Sequence, residues 1–189
     1  MPYSLVLHCV SPSGTVCPED LQGQKALALF LEELIEKQDA ALAAQLHAPR
    51  NAKPFTTAIL PRARSDREPH TRAATDRPGV RQAMLPAGEM QIRITLLDDA
   101  LYPCVSQFFL QHLNGVPLLR LGRSMLAVSR VMTTPESGEL WAGFARFDEL
   151  LARASEHETA WNIQFVTPTA FKTGDAAMPL PVPRLCFQS

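Results

Sequence analysis

The stretch Leu46-His47-Ala48-Pro49-Arg50-Asn51-Ala52-Lys53-Pro54-Phe55-Thr56-Thr57-Ala58-Ile59-Leu60 decides how the chain is read, because three patterns meet in it. Up to Leu46, apolar residues recur at helical spacing. A polar loop follows. From Phe55 the residues suit a strand, bounded by Pro54 and Pro61, which cannot donate to a ladder. The loop also carries chemistry. His47 falls in a last helical turn, where the helix dipole favours a cation, and imidazole titrates near enough to neutrality to serve as acid or base. Lys53 has the charge to face a phosphate, and is equally compatible with a solvated side chain.

Toward the N-terminus, Ser4-Leu5-Val6-Leu7-His8-Cys9-Val10 reads as a first strand stopped by Ser11-Pro12-Ser13-Gly14, with His8 facing solvent or packed at an edge. Pro18, Glu19 and Asp20 have helix-start chemistry. Leu27, Leu31, Leu34, Ile35, Leu42 and Leu46 then form one apolar stripe, the core face of a helix lying on a sheet. Asp39 precedes an alanine-rich run and can cap a second short helix, so a break is expected near Gln38 and His47 closes that helix.

Toward the C-terminus, Arg62 to Gly88 holds six arginines, several prolines and no apolar period. It reads as a long mobile loop, 61–89, of the kind that is functional or disordered in compact domains. Met90 to Leu97 is a third strand. Asp98 or Asp99 caps a helix whose stripe is Leu101, Val105, Phe108, Phe109 and Leu113, with His112 in the last turn and Asn114-Gly115 as its stop. Strands at 118–122 and 125–132 are joined by a tight turn at Gly122-Arg123, with Arg120, Arg123 and Arg130 expected on one polar face. Trp141 to Glu156 reads as a packing helix built on Phe144, Phe147, Leu150 and Leu151; Ala160 to Val166 reads as a strand, and the tail as extended and proline-rich.

This order is a βαββαβ unit, an α+β ferredoxin-like (RRM-like) domain in which helices cover one sheet face and leave the other available. The expected organisation is a ferredoxin-like domain over 1–135, a connecting helix over 136–159, and over 160–189 the first strand and proline-rich start of a second, incomplete ferredoxin-like domain. The topology serves RNA-binding and metabolic proteins alike, so it assigns no function.

The totals narrow the classes. Of 189 residues, 46% are apolar and 20% charged, which are globular values, and 16 prolines outnumber 9 glycines. Cys9, Cys17, Cys104 and Cys186 form no CxxC pair, so neither a zinc site nor a disulfide framework is indicated, and reduced thiols in the cytoplasm are expected. The N-terminus lacks the basic start of a signal peptide and no segment is long enough to span a membrane. Residues 1–46 carry 2 basic and 6 acidic side chains, residues 47–88 carry 8 basic and 3 acidic. Of the 18 cations, 14 are arginine, the type that binds phosphate bidentately.

Three segments in order, Leu46-His47 with Lys53-Pro54-Phe55-Thr56, then Phe165-Val166-Thr167-Pro168-Thr169-Ala170-Phe171, then Leu180-Pro181-Val182-Pro183, resemble the CRISPR repeat-processing endoribonucleases, the Cas six family of the RAMP superfamily. The resemblance implies two ferredoxin-like domains and metal-independent cleavage of the CRISPR precursor transcript within each repeat, with no cofactor. It implies that His47 is the general acid or base in attack of a ribose 2′-OH on the adjacent phosphate, leaving a 2′,3′-cyclic phosphate and a 5′-OH, and that Lys53 stabilises the charge developing on phosphorus. Arg50, Arg62, Arg64, Arg67, Arg120, Arg123 and Arg130 are then the candidate contacts to repeat RNA. Other CRISPR effector subunits and a second copy of the chain are the further partners expected.

Two features depart from the family. Some members place a tyrosine on the first helix, whereas the tyrosines here are Tyr3 and Tyr102; and no GxG occurs, so the family's glycine-rich loop near the end of its second domain is not found. The expectation is therefore a chain truncated within its second domain. Alternative readings are a non-cleaving RNA-binding subunit of the RAMP type and an unrelated ferredoxin-like interaction module.

Overall fold

Alternation in the first strand places Leu5, Leu7 and Cys9 on one face and Ser4, Val6 and His8 on the other, and this strand becomes the centre of the sheet. In the computed structural model the residues described are 1–48, 53–60, 88–134, 136, 138–154, 160, 163, 165, 171–173, 176–178 and 180–187. Strand β1 (Tyr3–Val10) pairs antiparallel with β3 (Glu89–Leu96) over its whole length, from Tyr3 opposite Leu96 to Val10 opposite Glu89. On its other side it pairs with β5 (Ser124–Met132), with a register shift between His8 and Cys9. Strand β2 (Phe55–Leu60) lies outside β3, and β4 (Leu118–Leu121) is the edge beyond β5, giving the order β2-β3-β1-β5-β4. With β4 set aside as one arm of a hairpin, the connectivity is the expected βαββαβ. The hairpin turns at Gly122, whose φ of +59° suits a residue without Cβ.

The helical layer starts later than the proline signal suggests. Pro18–Leu21 is a single 3₁₀ turn, followed by α1 (Gly23–Ala28), which runs on into a π-helical segment, Leu29–Ile35. The Glu36 N–H bonds the Leu31 carbonyl at 2.8 Å, five residues back. That wider turn rotates the stripe. Leu29 and Phe30 enter the core, while Leu27, expected there, is 38% exposed. The break falls after Ile35 as expected: Asp39 accepts from the Leu42 N–H at 2.9 Å and caps α2 (Ala40–His47). Helix α3 (Tyr102–Gln111) buries Val105 and Phe108 behind Leu101, but it ends before Leu113, which is largely exposed. Between layers, Phe30 and Phe55 pack with ring centroids 4.6 Å apart, alongside Leu5, Leu7, Leu34, Ile92 and Ile94.

The second sheet face is not left open along its length. Val6 and Leu60 are fully buried there against Ala142, with Ala58, Met132 and Trp141 around them. Ser4 Oγ donates to the Trp141 carbonyl at 2.6 Å, and the Arg93 guanidinium lies 5.4 Å from the Trp141 ring centre. A short strand, β6 (Gly143–Phe144), then pairs with Tyr3 and Ser4 where β5 has ended. This replaces the first half of the helix expected over Trp141 to Glu156. Gly143 disfavours helix, and the free backbone edge of Tyr3 and Ser4 offers it a ladder. What remains is α4 (Phe147–Arg153), with none of its residues buried, so it is not the packing helix anticipated.

Most of the strand expected at 160–166 lies outside the described residues, and Ala160, Ile163 and Phe165, which are described, are in no strand. The tail is not wholly extended. It contains a hairpin of β7 (Phe171–Thr173) and β8 (Ala176–Met178) and a short helix α5 (Pro183–Phe187).

Candidate active site

His47 is the last residue of α2 and is exposed, while its neighbour Leu46 is buried in the core. Packing of Leu46 therefore fixes the helix end, and the imidazole projects from a held position. A helix end leaves its last carbonyls without intrahelical partners. Here the Ala48 N–H closes one bond on the Ala44 carbonyl at 3.1 Å, and the Lys53 ammonium donates to the carbonyls of Leu46 and Ala48 at 2.5 and 2.6 Å. Those two carbonyls flank His47. Lys53 is brought back to the helix because the next residue, Pro54, is tied to the sheet through the Leu97 N–H at 2.8 Å.

The structure thus brings together the two residues that the sequence singled out. Among the described residues the ammonium meets neutral carbonyls and no carboxylate, so none of them cancels its charge. Beside it lies a cavity of about 210 Å³ lined by Leu42, Gln45, Leu46, Lys53, Asp98 and Leu101 among others. Asp98, read from sequence as a cap, does accept from the Ala100 N–H at 2.9 Å; its place on the rim of this cavity was not visible in the local pattern.

The arginines divide differently. Arg50, Arg62, Arg64 and Arg67 lie outside the described residues. Arg120 and Arg130 leave their strands on the same sheet face, opposite Leu119 and Leu126, but the charged ends of Arg120 and Arg123 take different partners. Arg120 sits on the edge strand, from which a long side chain reaches Glu32 at 3.2 Å and Glu33 at 3.6 Å. Arg123, in the hairpin turn, pairs with Glu19 at 3.4 Å. Arg130 stands across from His8 and borders a separate cavity of about 260 Å³ with Gln91 and Ser129. His8 is on the central strand rather than an edge. Its Nε2 meets Glu139 Oε2 at 3.1 Å, and Gln91 donates to the same oxygen at 3.1 Å. The contact between His8 and Glu139 spans 131 positions of sequence, and no local signal announces it. Arg93 loses solvation beneath Trp141, which lowers its pKa from the ordinary arginine value. His112, at the end of α3, is half-buried, with Nδ1 bonded to the Phe108 carbonyl at 2.7 Å. Tyr3 and Tyr102 stack on one another, centroids 4.4 Å apart. Among the described residues no helix is long and apolar enough to cross a membrane.

An antiparallel sheet with strand order β2-β3-β1-β5, helices on one face and a histidine at a pinned helix end define a ferredoxin-like domain carrying a candidate acid–base site. Residues 1–152 match the family described as the CRISPR Cas6 N-terminal domain, and the chain belongs to that family. Among solved structures, a Cas6 product complex superimposes with a TM-score of 0.65 at 30% identity, covering 98% of this chain and 62% of that one. A second Cas6 product complex, at 20% identity and a TM-score of 0.59, covers 97% of this chain and 59% of its own and shows the same fold. The chain spans about three fifths of the length of these two structures. No curated protein matches it.

Proposed function

We propose that this chain carries the acid–base half of an endoribonuclease that cuts CRISPR precursor RNA within its repeats. The observation that carries the reading is His47, exposed at the end of α2 beside the cationic Lys53, in a chain of the Cas6 N-terminal family. His47 takes the proton from a ribose 2′-OH or gives one to the departing 5′-oxygen. The 2′-oxygen forms a bond to the adjacent phosphorus as the bond to the 5′-oxygen breaks, leaving a 2′,3′-cyclic phosphate and a 5′-OH. The nucleophile belongs to the substrate, so proton transfer and charge stabilisation are what the protein must supply. The charge of Lys53 is available to offset that of the phosphorane. The arginine-rich segment 62–87 and Arg130 supply phosphate contacts whose affinity falls with salt. Residues 160–189 begin a second ferredoxin-like domain, in keeping with the greater length of the solved relatives, and repeat RNA runs across both. Other CRISPR effector subunits are further partners.

The test is cleavage of end-labelled repeat RNA in excess EDTA by the wild type and by His47→Ala. Cutting that leaves a cyclic phosphate, and that falls at least about 100-fold in the variant, is the expected result. RNA bound but left intact by the wild type makes the chain a binding subunit instead.

A further inference from the structure

We propose that Lys53 is a positioning residue: it holds the last turn of α2, and with it His47, through the two carbonyls that flank that histidine. The inference rests on the reading of His47 as the acid–base group, and it changes what the lysine does. An ammonium aimed chiefly at substrate would sit in solvent or against a carboxylate until RNA arrived. Here two of its three N–H groups are already committed, at 2.5 Å to Leu46 and 2.6 Å to Ala48. A cation at the carbonyl end of a helix also opposes the negative end of the dipole, which suits a helix of only 8 residues that would otherwise fray at this end.

The geometry matters because a histidine's Cα–Cβ direction is set by the two peptide planes on either side of it. Leu46 provides one anchor by packing in the core, but it fixes only the plane before His47. The plane after it is held by the Ala48 N–H bond to Ala44, while Lys53 ties the plane before it through the Leu46 carbonyl and the next plane but one through the Ala48 carbonyl, so the lysine clamps the turn on both sides of His47. With the lysine removed, the Leu46 and Ala48 carbonyls lose their tie to the ordered base of β2, the bond from Ala48 to Ala44 is left to hold the turn after His47, and the imidazole samples directions unsuited to in-line attack. Misplacement by about 1 Å is enough to cost on the order of 100-fold in rate.

The experiment begins with the full chain free of RNA. In Lys53→Met, the Ala48 amide should exchange with solvent at least about tenfold faster than in the wild type, and the His47 ring resonances should move toward those of an unstructured histidine. Lys53→Arg, whose forked guanidinium can bridge both carbonyls, and Lys53→Gln, which keeps N–H donors without the charge, should retain the protection and also cover the case that Lys53→Met does not fold. With repeat RNA, Lys53→Met should lower kcat by about 100-fold with KM within about twofold, and Lys53→Gln should recover at least a tenth of the wild-type rate. Unchanged Ala48 exchange in Lys53→Met, or a protected but inactive Lys53→Gln, overturns the proposal and returns the lysine to a charge-only role. Cleavage that persists in His47→Ala defeats the functional reading instead, while the exchange measurement still decides whether Lys53 holds the helix.

Discussion

Cys9 illustrates what burial does to a single group. Its side chain points from the central strand into the core, 1% exposed, and desolvation of the thiolate pushes its pKa up to about 12. Cys104 is raised as well, by burial and then by the charge of Asp39. The folded state therefore keeps the Cys9 proton at pH values where the unfolded chain, with a thiol pKa near 9, has released it. Stability is unaffected below pH 9 and falls as pH rises from about 9 to about 12, at a limiting slope of about 1.4 kcal/mol per unit. Urea titrations of the wild type and Cys9→Ala should show this slope in the first and a shallower one in the second. Equal slopes would mean that the thiol ionises inside the fold. At this scale His47 was legible in advance, since a histidine closing a helix before a polar loop is a local pattern. The bonds of Lys53 were not, because they depend on where Pro54 and β2 are seated on the sheet relative to the end of α2.

Between elements, the hairpin of β4 and β5 is tied to the 3₁₀ turn Pro18–Leu21 by one carboxylate. Asp20, 2% exposed, accepts from the N–H groups of Arg123 and Ser124 at 3.0 Å each and from Ser124 Oγ at 2.8 Å. A Cβ on Gly122 would stand 2.0 Å from Asp20 Oδ1, so the turn glycine is required twice, by its φ and by this approach. Asp20→Ala leaves three donors without their acceptor and should destabilise the domain by about 3 kcal/mol, read as a lower urea midpoint at unchanged slope. A cost under about 1 kcal/mol would show that the hairpin seats without the tie. From sequence Asp20 looked like an ordinary acid at a helix start. Its acceptor role involves residues more than a hundred positions away, which no window of sequence contains. Hydrogen-bonded turns and caps of short range, such as Asp39, were read correctly because cap and recipient lie three residues apart.

At the scale of the whole molecule, the segment leaving the sheet exposes several large apolar side chains. Leu140, Phe144, Phe147 and Leu151 are all more than half exposed, Leu140 at 85% and Leu151 at 76%. Apolar exposure of this kind favours association, and the chain should dimerise at high concentration. Sedimentation velocity on the wild type and on the double variant Phe147→Glu, Leu151→Glu should give a concentration-dependent shift in the first and a monomer in the second, with equal thermal stability because α4 buries nothing. A wild type that stays monomeric at all concentrations rules the association out.

Strands β1 to β5, the broken first helix and the helix end at His47 follow from sequence alone, because alternation, capping and proline punctuation act over a few residues. Tertiary structure alone decided the cover over the second sheet face, the shortening of α4, the separate partners of Arg120 and Arg123, and the partners of Lys53. Each of these turns on a competition between distant groups: a backbone edge left free by β5, acidic side chains on a helix within reach of an edge strand, and carbonyls left unpaired where α2 stops.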